Sequence, residues 1–319
     1  MKRLVGLAAT VAAVVGFSHA QATADSITLG KAVPFAWTFI PADVGLAAGI
    51  WKKHGFDEVK IAGFGGEAKA QQALLSKDID YGLMSGPGLA FNAKGGAGIG
   101  VAAFYGAPRN LAAAVLYDSK ITKVSELKGK KLGVTTAGSL TDWLTQRLSQ
   151  SQGWGTTGIT AVALGGLDTS LAGLKTGQVD GLVLATEVTY DMEEKKQLKP
   201  LYNFADLVPD FITHVIYARK DLVASNPQQV KRFVDAFFET VAFMRANKAK
   251  TVEISSTVLK TAPHVMERVY DEEMPGFSKD GVFDPKGVAL LAESFIGMGL
   301  LDKRPADAEM FTTQFVPAK

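Results

Sequence analysis

Hydroxyl groups and a glycine cluster in the stretch LGVTTAGSLTDWL, from Leu132 to Leu144. The apolar residues at its start predict a strand, and the pattern after Ser139 predicts a helix. Ser139 is a favourable N-cap residue, and Asp142 three residues later gives a variant of the capping box. The first N–H groups of a helix lack partners within it, and its positive dipole end suits an anion. This corner therefore predicts either a well-capped helix or a capped helix that also binds an anion.

A second corner of the same kind lies in MSGPGLAFNAKGG, from Met84 to Gly96. A short apolar strand ends at Ser85, and Gly86 and Pro87 begin a helix. Ligands of open α/β sheets bind at the carboxyl ends of the strands, where such corners lie. If the two corners face each other, a ligand can be clamped between them when a hinge closes.

Other kinds of chemistry find little support in the sequence. The chain has no cysteine, which excludes disulfides, thiol catalysis and cysteine metal sites. His54, His214 and His264 lack the paired spacing of metal ligands. No nucleophile-elbow, phosphate-binding or dinucleotide-binding motif occurs in its required context. We therefore predict no catalytic residue, no metal site and no cofactor, and we expect a protein that is not an enzyme.

The N-terminal residues 1–24 have the pattern of a secretory signal peptide. Lys2 and Arg3 precede an apolar segment, Leu4–Phe17, which is shorter than the roughly 20 residues that span a bilayer. The stretch ATA, which ends at Ala24, fits a cleavage site. Because the chain has no cysteine to carry a lipid, we expect a periplasmic protein that is not a lipoprotein.

The charges of the chain are balanced. It carries 34 basic and 32 acidic residues, and removal of Lys2 and Arg3 makes the two numbers equal. No basic run or stripe stands out, so we expect no nucleic-acid partner.

Strand-like and helix-like segments alternate through the first two thirds of the chain, which predicts an α/β fold with helices on the faces of a sheet. The alternation then starts again. Phe64–Asp80 aligns without a gap to Leu164–Asp180, 100 residues later, with identity at both glycines, one leucine and the final aspartate. This repeat predicts two lobes of related topology.

Five stretches carry a resemblance to a known family: ADVGLAAGIWKKHGFDEVKI, ALLSKDIDYGLMS, VSELKGKKLGVTTAGSLTDWL, LKTGQVDGLVLATEV and YARKDLVASNPQQVKRFVDAF. They resemble the periplasmic solute-binding proteins of the nitrate/sulfonate/taurine and thiamine-precursor group, which serve ABC importers. The third stretch is the most specific, because that family marks the entrance to its second lobe with a Leu-x-Gly-Lys-x-x-Gly-Val run and a Gly-Ser corner.

The resemblance implies a two-lobe, type II periplasmic-binding-protein fold, in which each lobe is a mixed sheet flanked by helices. Lobe one would comprise residues 25–115 and 217–319, and lobe two would comprise residues 116–216. Two strands would cross between the lobes as a hinge, at Leu111–Ser119 and Thr213–Asp221.

Carried over position by position, the resemblance also implies a ligand-binding cleft formed by four clusters. These clusters are Phe35, Trp37 and Thr38; Ser85, Gly86 and Pro87; Thr136, Gly138, Ser139 and Thr141; and Thr186 and Glu187. The last cluster departs from the family, because many relatives have an aromatic residue followed by Glu-Pro where this chain has Thr186, Glu187 and Val188.

Several of these side chains have two interpretations. Trp37 can stack on a flat ligand or pack in the core. Glu187 can accept an ammonium group or pair with a basic residue at the hinge, and we favour the hinge pair. Arg109, just before the first crossing, can hold a carboxylate or lie on the surface. His214 can reach the cleft or serve as a structural histidine.

The expected function is that of a monomeric receptor that binds a small organic anion, a sulfonate or a carboxylate, and delivers it to an ABC permease and its ATPase in the inner membrane. Phe35 and Trp37 favour an anion with a flat or apolar body. The alternatives are a taurine or nitrate receptor, or a protein that binds or makes a thiamine pyrimidine precursor. The enzymes that make that pyrimidine carry a cysteine-rich motif, which this chain lacks.

Overall fold

Two five-stranded sheets form the framework of the computed structural model, which describes residues 25–318. The predicted signal peptide, residues 1–24, lies outside the described residues. The strands are β1 (Asp25–Lys31), β2 (Phe56–Gly63), β3 (Tyr81–Ser85), β4 (Gly98–Tyr105), β5 (Leu111–Leu116), β6 (Lys131–Val134), β7 (Thr160–Ala163), β8 (Gly181–Ala185), β9 (Leu198–Asn203) and β10 (His214–Arg219).

The helices cover the faces of both sheets and make up most of the C-terminal part of the chain. They are α1 (Pro41–Ala47), α2 (Ile50–Lys53), α3 (Glu67–Ser76), α4 (Leu89–Ala93), α5 (Leu140–Ser151), α6 (Leu167–Lys175), α7 (Thr186–Glu194), α8 (Lys220–Ser225), α9 (Pro227–Ala246), α10 (Lys248–Leu259), α11 (Pro263–Glu273), α12 (Pro285–Gly297) and α13 (Asp307–Met310). Within residues 25–318, none of them has the length and apolar character needed to cross a membrane.

The two sheets have the same topology. The first has the order β2-β1-β3-β10-β4, and the second has the order β7-β6-β8-β5-β9. In each sheet the first three strands are parallel, and the inserted strand, β10 or β5, runs antiparallel to its neighbours. We call the part with the first sheet lobe one and the part with the second sheet lobe two. The predicted mixed α/β, two-lobe fold is confirmed.

The sequence repeat corresponds to equivalent elements of the two lobes. Helix α3 and strand β3 occupy the places in lobe one that α6 and β8 occupy in lobe two. The glycine pairs that precede the two helices meet between the lobes, since a Cβ atom on Gly65 would lie 3.9 Å from the nitrogen of Gly166. The repeat therefore gives both the internal symmetry and one line of contact between the lobes.

The chain passes twice between the sheets, as expected, but not within the strands predicted to cross. Strand β5 pairs with β8 and β9 of the second sheet, and β10 pairs with β3 and β4 of the first. The connections are instead the segments before each strand, residues 106–110 and 204–213. The proposed lobe limits at 115 and 216 remain predictions.

Helix α9 contributes a buried apolar face to the main hydrophobic core. Asn226 caps this helix by accepting a hydrogen bond from the N–H of Gln229 (3.2 Å), and Pro227 occupies its first position. Its apolar stripe is buried as the helical spacing predicts. Phe233 stacks on Tyr81 of β3 with ring centroids 3.8 Å apart, so α9 is fixed against the sheet that supports the first corner.

Candidate ligand-binding cleft

A cavity of about 70 Å³ lies between the lobes, at the carboxyl ends of the central strands. It has room for roughly five water molecules, or for a ligand of similar size. Most of its lining is apolar. The polar side chains that line it are Glu67, Ser85, Asn110, Thr135, Ser139, Thr141, Ser170 and His214. The cavity thus has the position and composition of a ligand site in an α/β protein.

The corner at the start of α5 forms one end of this cavity. The Ser139 hydroxyl accepts a hydrogen bond from the N–H of Asp142 (3.4 Å), so the predicted cap is present. The hydroxyl of Thr135 donates to Ser139 Oγ (3.1 Å), and the hydroxyls of Ser139 and Thr141 lie 3.0 Å apart. The Asp142 carboxylate accepts the N–H of Gly138 (2.8 Å). Three hydroxyls and the first turn of a 12-residue helix therefore converge on the cavity.

Gly138 and Thr136 complete this corner without lining the cavity. Gly138 has a φ of +73°, and a Cβ atom on it would lie 2.9 Å from Leu300 of lobe one. The methyl group of Thr136 lies against Gly66, where a Cβ atom would be only 2.8 Å away. Both residues therefore make the contact between the lobes beside the cavity.

The corner in lobe one has its donors occupied by the protein itself. Glu67, at the start of α3, accepts hydrogen bonds from the N–H (2.9 Å) and the hydroxyl (2.8 Å) of Ser85. Its other oxygen accepts a hydrogen bond from Gln71 (3.0 Å). Burial raises the pKa of this carboxyl. Ser85 lines the cavity, whereas Gly86 and Pro87 do not. An internal carboxylate thus occupies the position where the sequence predicts a ligand anion.

The loop after β1 sends two aromatic side chains in different directions. Phe35 lines the cavity. Trp37 is fully buried, makes edge-to-face contacts with Tyr270 (5.9 Å between centroids) and Phe277 (5.8 Å), and donates its indole N–H to Ser255 (3.0 Å). Of the two interpretations of Trp37, the geometry is that of core packing.

A polar contact behind the cavity joins Thr38 to the first connection between the lobes. The side-chain amide of Asn110 donates to Thr38 Oγ1 (3.1 Å) and lies 3.0 Å from His214 Nε2. Burial lowers the pKa of His214 to about 3, so its imidazole is neutral and Nε2 can accept this bond. His214 reaches the cavity wall, while Arg109 is exposed at the surface.

Glu187 makes no ion pair with any of residues 25–318, so the prediction that it pairs with a basic residue at the hinge is wrong. Its Oε1 accepts the backbone N–H of Trp37 (3.0 Å) across the lobe boundary, and its Oε2 has no hydrogen-bond partner. The Thr186 hydroxyl donates to Glu273 of lobe one. Burial raises the pKa of Glu187 to about 8 and that of Glu273 well above its usual range. Glu187 is therefore accommodated by the backbone N–H of Trp37 and by protonation of its carboxyl, without a basic side chain.

The electrostatics of the cavity differ from one end to the other. Glu67 is the one charged side chain among the described residues that line it, and neither lysine nor arginine lines it. Lys31 precedes the lining residue Ala32 in the sequence, but it is buried and pairs with Asp43. A ligand anion therefore finds hydroxyls and a helix N-terminus in lobe two, with no cationic side chain in the described lining.

The family model described as NMT1/THI5-like matches residues 38–251. The chain belongs to this NMT1/THI5-like family. This membership confirms the resemblance that the five sequence stretches carry, and the matched region includes both corners and both connections between the lobes.

Known relatives of this NMT1/THI5-like chain are similar over most of their length. A protein of Brucella abortus (strain 2308), provisionally named a binding protein, is 26% identical over 322 residues, which cover 96% of each chain. The alkanesulfonate-binding protein SsuA from Xanthomonas axonopodis pv. citri, bound to MOPS, matches with a TM-score of 0.77 and 17% identity, over 90% of this chain and 98% of that one. The ligand-binding component of an ABC-type import system from Staphylococcus aureus, with zinc bound, matches with a TM-score of 0.73 and 17% identity, over 91% of this chain and 97% of that one. These structures share the periplasmic-binding-protein fold.

The structure adds lining residues that sequence reasoning missed, above all Glu67, Asn110 and Thr135. One signal for Glu67 was present, because the repeat pairs this glutamate with Leu167, so the two lobes differ at that position. Asn110 immediately follows Arg109, for which the sequence left both a ligand contact and a surface position open, and only the path of the connection shows which of the two faces the cavity.

Proposed function

We propose that this protein is a periplasmic solute-binding receptor of an ABC importer, and that it holds a small organic anion, a sulfonate or a carboxylate, in the cleft between its lobes. The observation that carries the proposal is the cavity between the lobes, which has three hydroxyls and the N-terminus of α5 at one end and a mostly apolar wall elsewhere. The likeness in fold to the ligand-binding component of an ABC-type import system supports the transport role.

In this proposal the anionic group lies against lobe two. The hydroxyls of Thr135, Ser139 and Thr141, which contact one another in the structure, turn to donate to the anion. The first N–H groups of α5 that the cap leaves unpaired add donors and the positive end of the helix dipole. The body of the ligand lies on the apolar wall, which includes Phe35 and Leu111. Binding on both lobes favours the closed form, which the permease and its ATPase then recognise.

The export of the chain by residues 1–24 and its release as a monomer into the periplasm belong to the same proposal. A receptor of this kind binds its ligand without a cofactor and without catalysis, and the described residues include no cluster of three potential metal ligands.

A ligand screen tests the proposal directly. Protein expressed from the full sequence is mixed with ethanesulfonate, taurine, benzenesulfonate, propionate, benzoate, nitrate and a thiamine pyrimidine, and its thermal unfolding is followed. An anion at 100 times its dissociation constant stabilises the folded state by about 2.7 kcal/mol. Stabilisation by the pyrimidine alone, by nitrate alone, or by none of the compounds contradicts the proposal.

Substitution of the cap then tests where the anion binds. Ser139→Ala removes a cap and a ligand donor, so we expect about 1 kcal/mol less stability and about tenfold weaker binding of the anion found in the screen, measured by calorimetry. Asn226→Ala is the matched control, because it removes the cap of α9 far from the cavity. Equal affinities in both variants would show that the α5 corner is only a cap.

A further inference from the structure

Glu67 is a buried carboxylate in the wall of the cavity with no cation beside it. Glu67 is 3% exposed and forms no ion pair within residues 25–318. Its Oε2 accepts the N–H and the hydroxyl of Ser85, and its Oε1 accepts an amide hydrogen from Gln71. Burial raises the pKa of this carboxyl, and the hydrogen bonds from a backbone N–H, an amide and a hydroxyl oppose that rise. The carboxylate is therefore held in one position, and its side chain faces ligand space.

The internal repeat shows that this carboxylate is special to lobe one. At the equivalent positions lobe two has Leu167 in place of Glu67 and Ala185 in place of Ser85, and both of these residues also line the cavity. The fold thus tolerates an apolar pair at this point. The two ends of the ligand consequently meet different surroundings, with a cluster of hydroxyls in lobe two and a carboxylate in lobe one whose oxygens already accept hydrogen bonds.

We propose that Glu67 determines specificity by admitting ligands with one anionic group and excluding ligands with a second anionic group at the other end. This inference rests on the proposed function, since it assumes that an anionic head binds at α5. A second anion would lie near a buried carboxylate that has no cationic partner among the described residues, and like charges at a desolvated contact repel each other. The Ser85 donors that a second anion would need are already taken. A neutral or ammonium group meets neither obstacle.

Two sets of probes isolate charge from size. Succinate and succinamate have the same shape and differ in one carboxylate, which is an amide in succinamate. Ethanesulfonate, taurine and ethane-1,2-disulfonate share one sulfonate and differ in the group at the other end. Calorimetry at pH 8 is expected to show that the wild-type protein binds the single anions at least about tenfold more tightly than the double anions.

The variant Glu67→Gln keeps the shape of the side chain and removes its charge, so we expect it to reduce that preference at least about tenfold. Glu58→Gln is the matched control, because it removes a charge from an exposed side chain of β2 in the same lobe and is expected to leave the preference unchanged. The double variant Glu67→Leu with Ser85→Ala copies the pair found in lobe two, and it provides a second test if Glu67→Gln folds poorly.

The results separate the two proposals. If single and double anions bind the wild-type protein equally, or if both Glu67 variants keep the wild-type preference, the inference is overturned while the receptor function stands. If the folded wild-type protein binds no anion of either set, the proposed function fails, and the inference fails with it.

Discussion

Glu187 and Glu273 bring carboxyl groups from the two lobes into one buried region. Each has one oxygen without a partner, and neither has a cationic neighbour in an ion pair among residues 25–318. Burial is the main cause of their raised pKa values, and the charge of Glu187 adds to the rise at Glu273. Because the pKa of Glu187 is about 8 in the folded protein and about 4.5 in the unfolded chain, folding takes up a proton between these values.

The sign of the pH dependence follows from this uptake. Between about pH 5 and pH 8 the folded state binds more protons than the unfolded state, so the contribution of Glu187 to the unfolding free energy falls as the pH rises. His214 has the opposite sign, since its folded pKa of about 3 lies below its unfolded value and stability is lost as the pH falls through about 6.5. The two contributions must therefore be separated by a variant.

Glu187→Gln retains an oxygen for the Trp37 N–H and removes the titration. We expect its unfolding free energy, relative to that of the wild type, to rise by a few kcal/mol from pH 5 to pH 8. Urea unfolding at several pH values measures the difference, in which the His214 contribution cancels. Parallel curves for the two proteins would contradict a protonated Glu187.

For single residues, the sequence could predict those groups whose role depends on residues close to them in the chain. Ser139 and Thr141 lie in the cavity wall because the strand–turn–helix pattern is local, and the predicted cap is confirmed. The surroundings of Trp37 could not be predicted, because its partners Ser255 and Tyr270 come from helices more than 200 residues later. Burial without a cation, as at Glu187, depends on the same distant packing.

Among the elements, α5 has a start that depends on a glycine. Gly138 has positive φ and lies against Leu300, so it has a conformational and a steric requirement. Gly155, after the end of the helix, has a similar φ of +68°, and a Cβ atom on it would have no heavy atom of another residue within 4 Å, its chain neighbours aside. The two glycines separate the cost of the backbone conformation from the cost of the contact between lobes.

Gly138→Ala and Gly155→Ala are both expected to lower stability by about 1 kcal/mol, because both place a side chain at positive φ. Only Gly138→Ala also forces Leu300 away from the closed cleft, so only this variant is expected to weaken anion binding, by about tenfold. Denaturant unfolding and calorimetry measure the two effects. Equal losses of affinity would show that the contact with Leu300 does not support closure.

The elements themselves could be predicted well where the pattern was periodic or repeated. The repeat at an offset of 100 residues places α3 with α6 and β3 with β8, and the structure has them in equivalent positions. The crossings were misplaced because the apolar run of β5 is the same for a buried strand and for a hinge strand. The pairing of β5 with β8 and β9 on its two sides shows that it is a buried strand of the second sheet, and this pairing joins segments far apart in the sequence.

In the whole molecule, helix α7 of lobe two packs on α11 of lobe one and closes one side of the cleft. Arg268 lies over the ring of Tyr190 (3.4 Å to the centroid) and pairs with Glu193 (2.9 Å). His264 contacts Glu194 (2.7 Å), and Tyr190 donates to Glu272. Most of these groups are partly exposed, so each ion pair contributes little by itself. The closed form can therefore be stable while opening remains accessible.

A designed disulfide can test whether the cleft opens, because the chain has no cysteine of its own. Gly65 and Gly166 lie on opposite lobes, with 3.9 Å between a Cβ position on the first and the nitrogen of the second, so the two backbones are close to each other. The double variant Gly65→Cys with Gly166→Cys is expected to be crosslinked by oxidised glutathione, and faster when a bound anion favours the closed form.

The locked protein should then separate entry from retention. An anion added before oxidation is expected to stay bound, whereas an anion added afterwards is expected to bind at least about a hundredfold more slowly until the disulfide is reduced. Stopped-flow fluorescence measures the rates, and each single cysteine variant is the control for the substitution alone. If the crosslinked protein takes up the anion at the wild-type rate, the cavity fills without separation of the lobes, and hinge closure is not how this receptor captures its ligand.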